Sequence, residues 1–402
     1  MTPGLTAPAF PSIRLFPLDS RKITVVSPPL SHTLLHRHQR LREALASLGL
    51  DALIVTPPAN IRYLSNHIGS AGILVLTSEA AHLLVDFRYQ ESVRALQASD
   101  ARCPDLRVWD VPASYEEALV SCLGGIGVAT VGFEAAHVTV ARYDWWREAI
   151  AARGMNVGLR PTQHVVESLR MVKDETEIAT LREAADRLDL VMPSVLTSMR
   201  VGMTERDVAA VIETSMRSAG YERPAFDTIV ASGPNGALPH HRAGTRRLET
   251  GDLVVLDFGG FLDGYCCDLT RTVSVGAPSD EARRVYTAVL EAQAAAIAAA
   301  KPGVEASAVD AAARTLLAER GLGEAFGHGT GHGLGLDVHE DPRVGKPRAD
   351  SPSVTLQPGM VVTIEPGAYL PGWGGVRIED DVLITGTGCE VLTHVSRVLT
   401  AL

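Results

Sequence analysis

An internal repeat in the second half of the sequence constrains the fold more than any other feature. Two glycine-bounded segments of equal length, 202–220 and 303–321, both have helical patterns. Downstream of them, the residues leading to Asp257 align without gaps on those leading to Glu365, and each set reads as a turn, an apolar strand and an acid at its end. A duplicated unit buries its apolar surface against its copy. The repeat therefore predicts a pseudo-two-fold arrangement in which the two acids are equivalent.

Each of these acids is followed by a second acid on the next predicted strand, Asp268 after Asp257 and Glu379 after Glu365. The turns between the strands are assigned to Gly259, Gly260, Gly372, Gly374 and Gly375. Two hairpins would bring four carboxylates into one cavity, where they cannot all ionise without compensating positive charge. One or two divalent cations would supply that charge, and one histidine would complete a set of five ligands suited to two metals.

Three histidines in a glycine-rich stretch are candidates for that ligand: His328, His332 and His339. Five glycines within residues 327–335 make a helix very unfavourable, at roughly 1 kcal/mol each. From Gly333 onward apolar residues alternate with others, which predicts a strand. The bare backbone would let a ligand approach closely. A zinc site formed by the three histidines is the first hypothesis.

Each candidate also has a structural interpretation. Asp268 could pair with the nearby Arg271, and Glu379 with Arg377, as ordinary ion pairs. The two histidines in the turn 239–241 could be surface residues. The coincidence of four acids, a repeat and a histidine cluster favours the metal site over these alternatives.

Composition limits the class of protein. The net charge of −10 argues against a nucleic-acid partner. No apolar run reaches the eighteen or so residues that span a bilayer, and the N-terminus lacks the apolar core of a signal peptide. The five cysteines are odd in number and have no Cys-x-x-Cys spacing, so a reducing cytoplasm is expected and the adjacent Cys266 and Cys267 are expected to pack rather than bind metal.

The first part of the chain predicts an α/β domain that follows an irregular, proline-rich arm over residues 1–35. Its predicted helices are 35–48, 89–98, 115–123 and 140–153, and its predicted strands are 51–56, 71–76 and 82–87. It contains no glycine-rich phosphate loop. A capping box beginning at Asp174 starts a second region, with further helices predicted over 204–219, 280–300 and 307–320.

The ordered set Asp257, Asp268, His332, Glu365 and Glu379, with the motif Gly-x-Gly-His-Gly-x-Gly-Leu-x-x-His-Glu, resembles the pita-bread metallopeptidases of peptidase family M24. These include methionine aminopeptidase, aminopeptidase P and prolidase. The resemblance covers about residues 165–402. The N-terminal part is similar to a creatinase-type domain in three segments, Asn60-Ile-Arg-Tyr-Leu, Gly69-Ser-Ala-Gly and Asp86-Phe-Arg-Tyr. Methionine aminopeptidases lack that domain, which favours the Xaa-Pro branch, and creatinase lacks the metal acids.

The resemblance implies an α+β fold: a C-terminal pseudo-two-fold pita-bread catalytic domain, residues 166–402, preceded by an α/β creatinase-like domain, residues 36–165. It also implies a site with two metals, in which Asp257 holds one ion, His332 and Glu365 hold the other, and Asp268 and Glu379 bridge them. Manganese is favoured because carboxylates suit harder ions, with Zn2+ or Co2+ as alternatives. Of the three clustered histidines, only His332 would then touch metal.

The remaining site residues receive their roles from the same resemblance. A metal-bridging hydroxide would attack the carbonyl before proline, and Glu365 would shuttle a proton to the leaving nitrogen. His240 and His339 would contact the substrate and the tetrahedral intermediate, His328 would shape the proline pocket, and Arg377 would orient a neighbouring histidine.

The resulting expectation is a metallo-exopeptidase of the cytoplasm that acts on short proline-containing peptides and forms a homodimer. An Xaa-Pro aminopeptidase is the leading hypothesis, and an Xaa-Pro dipeptidase (prolidase) is the alternative, because the two share every catalytic residue. A non-catalytic pita-bread binding protein is a remote third hypothesis, since such proteins usually have degraded ligand sets.

Overall fold

The computed structural model describes residues 30–349 and 352–402. Within them, no helix combines the length and the apolar character needed to cross a membrane. The first helix begins at Leu30, so the last residues of the predicted irregular arm are helical, and the rest of that arm lies outside the described residues.

The N-terminal part is an α/β domain built on one mixed sheet. Its elements are α1 (Leu30–Leu48), β1 (Ala52–Val55), α2 (Pro58–Ser65), β2 (Ile73–Thr77), β3 (Ala81–Val85), α3 (Phe87–Gln97), β4 (Leu106–Asp110), α4 (Tyr115–Ile126), β5 (Thr130–Glu134), α5 (Val140–Ala152), β6 (Gly158–Thr162) and α6 (Val165–Arg170). The strand order is β4-β3-β2-β1-β5-β6. Strand β1 runs antiparallel to β2 and parallel to β5. The predicted helices and strands all occur, whereas α2, α6 and the last three strands were not anticipated.

The second part contains the repeated halves. Its elements are α7 (Glu175–Ser198), α8 (Glu205–Ser218), β7 (Arg223–Pro224), β8 (Ile229–Ser232), the 3-10 helix Gly233–Ala237, β9 (Leu253–Leu262), β10 (Tyr265–Ser274), α9 (Asp280–Ala299), α10 (Ala306–Glu319), the 3-10 helix Gly323–Ala325, β11 (Gly331–Gly333), β12 (Glu340–Val344), β13 (Val361–Ile364), β14 (Gly367–Leu370), β15 (Gly374–Arg377), β16 (Asp380–Ile384) and β17 (Cys389–Val391). The capping box at Asp174 is present and starts α7.

The two halves pair their strands in corresponding ways. In the first half β9 lies between β10 and β8, and in the second half β13 lies between β16 and β11. Asp257 lies in β9, and Glu365 directly follows the aligned β13. The apolar core is continuous with that of the N-terminal sheet, since Leu53 of β1, Leu181 of α7 and Leu334 belong to one buried cluster. The expected α+β architecture is confirmed.

The predicted turn at Gly259 and Gly260 is wrong. Both glycines lie inside β9, and the hairpin turns at Asp263 and Gly264, whose φ angles of 43° and 69° fit a tight two-residue turn. Gly259 is required for another reason: a Cβ at this position would lie 2.0 Å from the carbonyl oxygen of Cys267 on the paired strand. Close approach of two backbones, rather than a turn, explains the glycine.

The strand predicted from Gly333 through His339 is also wrong. Strand β11 ends at Gly333, and the chain turns back so that Gly333 pairs with Glu340 at the start of β12. The Glu340 carboxylate accepts a hydrogen bond from the backbone N–H of Asp337 at 3.0 Å, which closes this turn. Residues 334–339 therefore form a compact connection between β11 and β12. Its apolar side chains Leu334 and Leu336 are buried in the shared core.

Candidate metal centre

All nine predicted site residues line one cavity of about 790 Å³. The two hairpins deliver the acids, because Asp257 and Asp268 come from β9 and β10, Glu365 follows β13, and Glu379 lies between β15 and β16. His332 comes from β11. The other lining residues from the prediction are His240, His328, His339 and Arg377. Both halves of the repeat therefore contribute side chains to the cavity.

The orientation of His332 fits a metal ligand. Its Nδ1 lies 2.9 Å from the carbonyl oxygen of Gly333, and since a carbonyl only accepts, Nδ1 carries the proton. Burial lowers the pKa of His332 to about 4, so the ring is neutral and Nε2 presents a lone pair. That Nε2 lies 3.6 Å from Oε1 of Glu365, too far for a hydrogen bond. The Nε2 lone pair and the carboxylate oxygen are close enough for both to coordinate the same cation.

The carboxylates provide a second test of the same fit. One ligand atom each from Asp268, His332 and Glu379 lie within 4.8 Å of one another. Burial raises the pKa of Glu379 to about 8, and burial and then the neighbouring Glu379 raise the pKa of Asp268 well above its usual value. Oδ1 of Asp257 and Oδ1 of Asp268 are buried without a hydrogen-bond partner. A divalent cation would satisfy these oxygens and remove the charge repulsion.

The ion pairs considered as structural alternatives do not form. Arg271 contacts Asp380 at 2.7 Å instead of Asp268. Arg377 forms a very short pair with Asp257 instead of Glu379. Both Asp268 and Glu379 thus remain directed at the cavity, where Glu379 accepts a hydrogen bond from the Thr270 hydroxyl at 2.6 Å.

A chain of hydrogen bonds fixes His328. Arg377 Nη1 donates to the Tyr369 hydroxyl oxygen at 2.8 Å, so the hydroxyl proton is free to go to His328 Nε2, also 2.8 Å away. His328 Nδ1 lies 2.7 Å from the Gly329 carbonyl and must donate to it. Both ring nitrogens are therefore engaged, and the ring can form a wall of the cavity but has no free donor. Burial lowers the pKa of His328 to about 4, which agrees with a neutral ring.

His339 and His240 lie on the open part of the cavity. The His339 ring packs edge-on against the His332 ring with centroids 4.4 Å apart. Burial, and then the charge of His240, lower the pKa of His339, so it is a neutral group suited to hydrogen bonding with a substrate. The neighbouring His241 differs, because its Nε2 is held 2.8 Å from a carboxylate oxygen of Glu205.

The turn that carries His339 is anchored by Glu340. This carboxylate is held by Arg170, in a very short pair, and by Lys173 at 3.0 Å. A Cβ on Gly335 would lie 2.7 Å from both Glu340 carboxylate oxygens, so the turn closes tightly around the acid. Two buried cations from the segment before α7 thus hold the loop at the edge of the cavity. The two cations lower the pKa of Glu340 to about 2, against the effect of burial.

Arg343 is a site residue that the sequence reasoning missed. It lines the cavity, and its Nη1 is buried without a hydrogen-bond partner among the described residues. A buried guanidinium N–H without an acceptor is costly, and it suits an anionic ligand. No strand periodicity links it to the histidines, because Arg343 lies on β12 whereas His339 belongs to the turn before that strand.

A second cluster with metal-ligating residue types lies apart from this cavity, at His38, Cys103 and Asp105. Here each donor is already used. His38 contacts Asp105 through Nδ1 at 2.9 Å and the Leu64 carbonyl through Nε2 at 2.6 Å, so neither nitrogen offers a lone pair. Arg42 neutralises Asp105 at 2.6 Å, and burial raises the pKa of the Cys103 thiol far above its usual value. The cluster is an internal ion-pair network. Cys266 and Cys267 are likewise buried thiols, and neither belongs to the metal-ligand clusters found among residues 30–349 and 352–402.

Comparison with known families agrees with this geometry. Residues 179–386 match the family model of Metallopeptidase family M24, and residues 37–172 match the Creatinase/Prolidase N-terminal domain. Members of this family use divalent metal ions, and the ligand set above fits them.

Relatives of known name cover nearly the whole chain. The Xaa-Pro dipeptidase of Pyrococcus horikoshii is 36% identical over 90% of this chain and 97% of its own. Among solved structures, the Xaa-Pro dipeptidase from Bacillus anthracis has a TM-score of 0.86 at 37% identity, covering 92% of this chain and 100% of its own. The X-Pro aminopeptidase from Thermotoga maritima has a TM-score of 0.81 at 35% identity, covering 91% and 100%. The chain therefore has the pita-bread fold and belongs to metallopeptidase family M24, in its Xaa-Pro branch.

Proposed function

We propose that this protein is an Xaa-Pro dipeptidase with two metal ions, which hydrolyses the bond before a C-terminal proline. The sequence led us to expect an aminopeptidase, with the dipeptidase as alternative. The relatives named Xaa-Pro dipeptidase support the alternative over that first expectation. The two activities differ in what lies beyond proline: a carboxylate in a dipeptide, and a further peptide bond in a longer substrate.

Arg343 is the observation that carries the proposal. Its guanidinium lies at the cavity beside Gly329, where a Cβ would be 3.7 Å from Nη2. Its buried Nη1 has no acceptor among the described residues. The carboxylate of a C-terminal proline in the cavity would pair with the Arg343 guanidinium in a charge-assisted bond, which contributes about 1.5–3 kcal/mol. The peptide carbonyl of a longer substrate is neutral and would bind Arg343 more weakly.

The proposed roles of the other residues follow from their protonation and contacts. His339, as a neutral ring, and His240 would bind the substrate through hydrogen bonds. His328, locked by Tyr369 and Gly329, would form a wall against the proline ring. Proline contributes a tertiary amide without an N–H, so recognition has to use the carbonyl and the ring.

Glu365 is proposed to move the proton in the reaction. In the absence of metal, burial, and then the charge of Glu379, raise the pKa of Glu365 well above its usual value. Glu365 would take a proton from the attacking water and pass it to the proline nitrogen as the bond breaks. Arg377 would steady this region through its contacts with Asp257 and Tyr369.

The five ligands would hold two divalent cations, with Asp257 on one ion, His332 and Glu365 on the other, and Asp268 and Glu379 between them. When bound, the cations would supply Lewis acidity to the water and to the scissile carbonyl. Four carboxylates to one imidazole favour Mn2+ over softer ions. Elemental analysis and reconstitution of the stripped protein with Mn2+, Zn2+ or Co2+ test the number and identity of the ions.

A substrate series tests the main proposal. The Mn2+-loaded protein is assayed with Ala-Pro, with its amide Ala-Pro-NH2, and with Ala-Pro-Ala. We expect kcat/KM to be about 10 to 100 times higher for the dipeptide than for the amide, because the amide lacks the anion that pairs with Arg343. Equal rates on all three would refute the dipeptidase proposal, and failure to hydrolyse any of them would refute the peptidase assignment.

Substitution of Arg343 tests whether this side chain binds the substrate carboxylate without taking part in the hydrolysis itself. Arg343→Met should lower kcat/KM for Ala-Pro by about tenfold or more, while the rate on Ala-Pro-NH2 changes little. Arg348 is exposed on the same segment, so Arg348→Met is a matched control that removes the same charge from the surface. If both variants behave alike, the effect comes from net charge and not from the cavity.

The aminopeptidase remains a second candidate because of the similarity to the X-Pro aminopeptidase from Thermotoga maritima. Faster cleavage of Ala-Pro-Ala than of Ala-Pro would favour it.

We also propose a homodimer located in the cytoplasm. The homodimer rests on the family resemblance alone, and the cytoplasm is supported by five cysteines that all remain thiols. Light scattering after gel filtration measures the oligomeric state directly, and a monomer at micromolar concentration would refute the first part.

A further inference from the structure

Glu205 is a buried carboxylate outside the metal centre, and it accepts five hydrogen bonds from one loop. Glu205 is the first residue of α8 and is fully buried. Its Oε1 accepts from the Ser232 backbone N–H at 2.9 Å, the Ser232 hydroxyl at 2.7 Å and the Asn235 amide at 2.9 Å. Its Oε2 accepts from His241 Nε2 at 2.8 Å and the Gly244 backbone N–H at 3.0 Å.

These contacts divide the loop 232–244 into two arms. One carboxylate oxygen holds the arm that leaves β8, and the other holds the arm that returns toward β9. Between the arms lie Pro239 and His240, which both line the substrate cavity. The Pro239 carbonyl also accepts from Arg377 Nη1 at 3.3 Å, which ties the tip of the loop to the metal centre. The position of His240 therefore depends on how the two arms are held.

We propose that Glu205 is a positioning residue that fixes His240 in the substrate cavity by holding both arms of the loop 232–244. The inference rests on the proposed function, in which His240 contacts the substrate. It adds a residue to which neither the sequence motif nor the family resemblance gave a role. Glu205 touches neither the substrate cavity nor a metal ligand, so it acts only through the loop.

The chemistry of the contacts requires a carboxylate. All five groups around Glu205 are hydrogen-bond donors, since the ionised side chain only accepts. Burial would raise the pKa of Glu205, but the hydrogen bonds from Asn235, Ser232 and His241 outweigh it and hold the pKa below the usual value. Glutamine has the same size, but its NH2 group cannot accept a hydrogen bond. Turned toward one arm it would leave the Gly244 backbone N–H without an acceptor, and turned toward the other it would leave the Ser232 backbone N–H without one. Glu205→Gln should therefore release one arm of the loop.

The test compares Glu205→Gln with a control on the same helix, Glu213→Gln, which changes an exposed residue. The Mn2+-loaded variants are assayed with Ala-Pro in two backgrounds, wild type and His240→Ala. Glu205→Gln should lower kcat/KM about tenfold or more in the wild-type background, and by less than about twofold when His240 is already absent. Metal content should be unchanged, and the Glu213→Gln control should match the wild type.

Two outcomes would overturn the inference. An equal decrease in both backgrounds would mean that Glu205 acts on general stability, and an unchanged rate in the wild-type background would mean that the loop does not need it. If Glu205→Gln does not fold, Asn235→Ala removes a single donor from the same carboxylate outside the cavity lining and should show the same dependence on His240, with a smaller decrease.

Hydrogen exchange separates this inference from the proposed function. Peptides covering residues 233–243 should lose protection in Glu205→Gln, whereas peptides from α9 should not. If the wild type hydrolyses no Xaa-Pro substrate, the peptidase proposal fails and this exchange pattern alone decides the role of Glu205. Uniform loss of protection over the whole chain, or no loss in the loop, would refute it.

Discussion

Removing divalent metal from this protein is expected to reverse the way in which pH affects its stability. Burial raises the pKa of Glu379 from 4.5 to about 8 in the folded protein. Between these values the folded state binds one proton more than the unfolded state, so the free energy of unfolding falls as pH rises, by about 1.4 kcal/mol per pH unit. The stability contributed by the neutral carboxyl is complete below pH 4.5 and is lost as the pH approaches 8.

The size of the effect follows from the same shift. From pH 4.5 to pH 7 the loss from Glu379 alone is about 3 kcal/mol. Asp268 and Glu365 have pKa values raised in the same direction and add to the slope. His328 and His332, whose pKa values are lowered from 6.5 to about 4, oppose this slope below pH 6.5, so it is tested above that pH. With Mn2+ bound the sign changes, because metal binding requires deprotonated carboxylates and therefore strengthens as pH rises. The free energy gained from bound metal adds to the stability of the folded state.

The assay is denaturation by urea, followed by circular dichroism from pH 6.5 to pH 8, with chelator-treated and Mn2+-loaded protein. The metal-free protein should be most stable at the acidic end, and the loaded protein at the alkaline end. Glu379→Gln serves as the control, since it removes one titrating group and should flatten the metal-free slope by about 1.4 kcal/mol per pH unit. A metal-free slope that is positive, or equal in the two proteins, would refute the reasoning.

Two further predictions concern the ligand roles and the first hairpin. His332→Ala should lower the metal content measured by elemental analysis, whereas His339→Ala should lower kcat and leave the metal bound; equal loss of metal from both would contradict this division. Gly259→Ala should decrease the free energy of unfolding by about 1–3 kcal/mol, because its Cβ would meet the Cys267 carbonyl at 2.0 Å. Gly388→Ala, whose Cβ meets nothing within 4 Å, should change it by less than about 0.5 kcal/mol, and similar losses in both would show that the close approach is unimportant.

The sequence predicted those parts of the site that leave a local pattern. The repeat predicted that Asp257 and Glu365 lie at equivalent positions of two strands, and both line the cavity. Helix ends were marked by capping residues, as at Asp174, and could be predicted to within a few residues. Helical periodicity and caps are properties of neighbouring residues, so a single sequence carries them.

Contacts between distant residues left no such pattern. Arg377 pairs with Asp257 across 120 positions, and Glu205 meets His241 across 36. Nothing in the spacing of these residues indicates which partner each one has. The misplaced turn has another cause: Asp263-Gly264 carries the Asp-Gly signal of a tight hairpin turn, but the glycine pair at 259–260 carries a turn signal as well, although its glycines allow two backbones to approach closely.

The anchoring of Glu340 also limits how far the catalytic half can be shortened from its N-terminal end. The M24 match begins at residue 179, yet the cations that hold Glu340 are Arg170 and Lys173. A fragment trimmed to that match would bury the carboxylate without its partners, which costs about 3–5 kcal/mol. A fragment that begins at residue 166 keeps both cations. During evolution, an exchange of the N-terminal domain could then preserve the active site only if this short connecting segment stayed with the catalytic half.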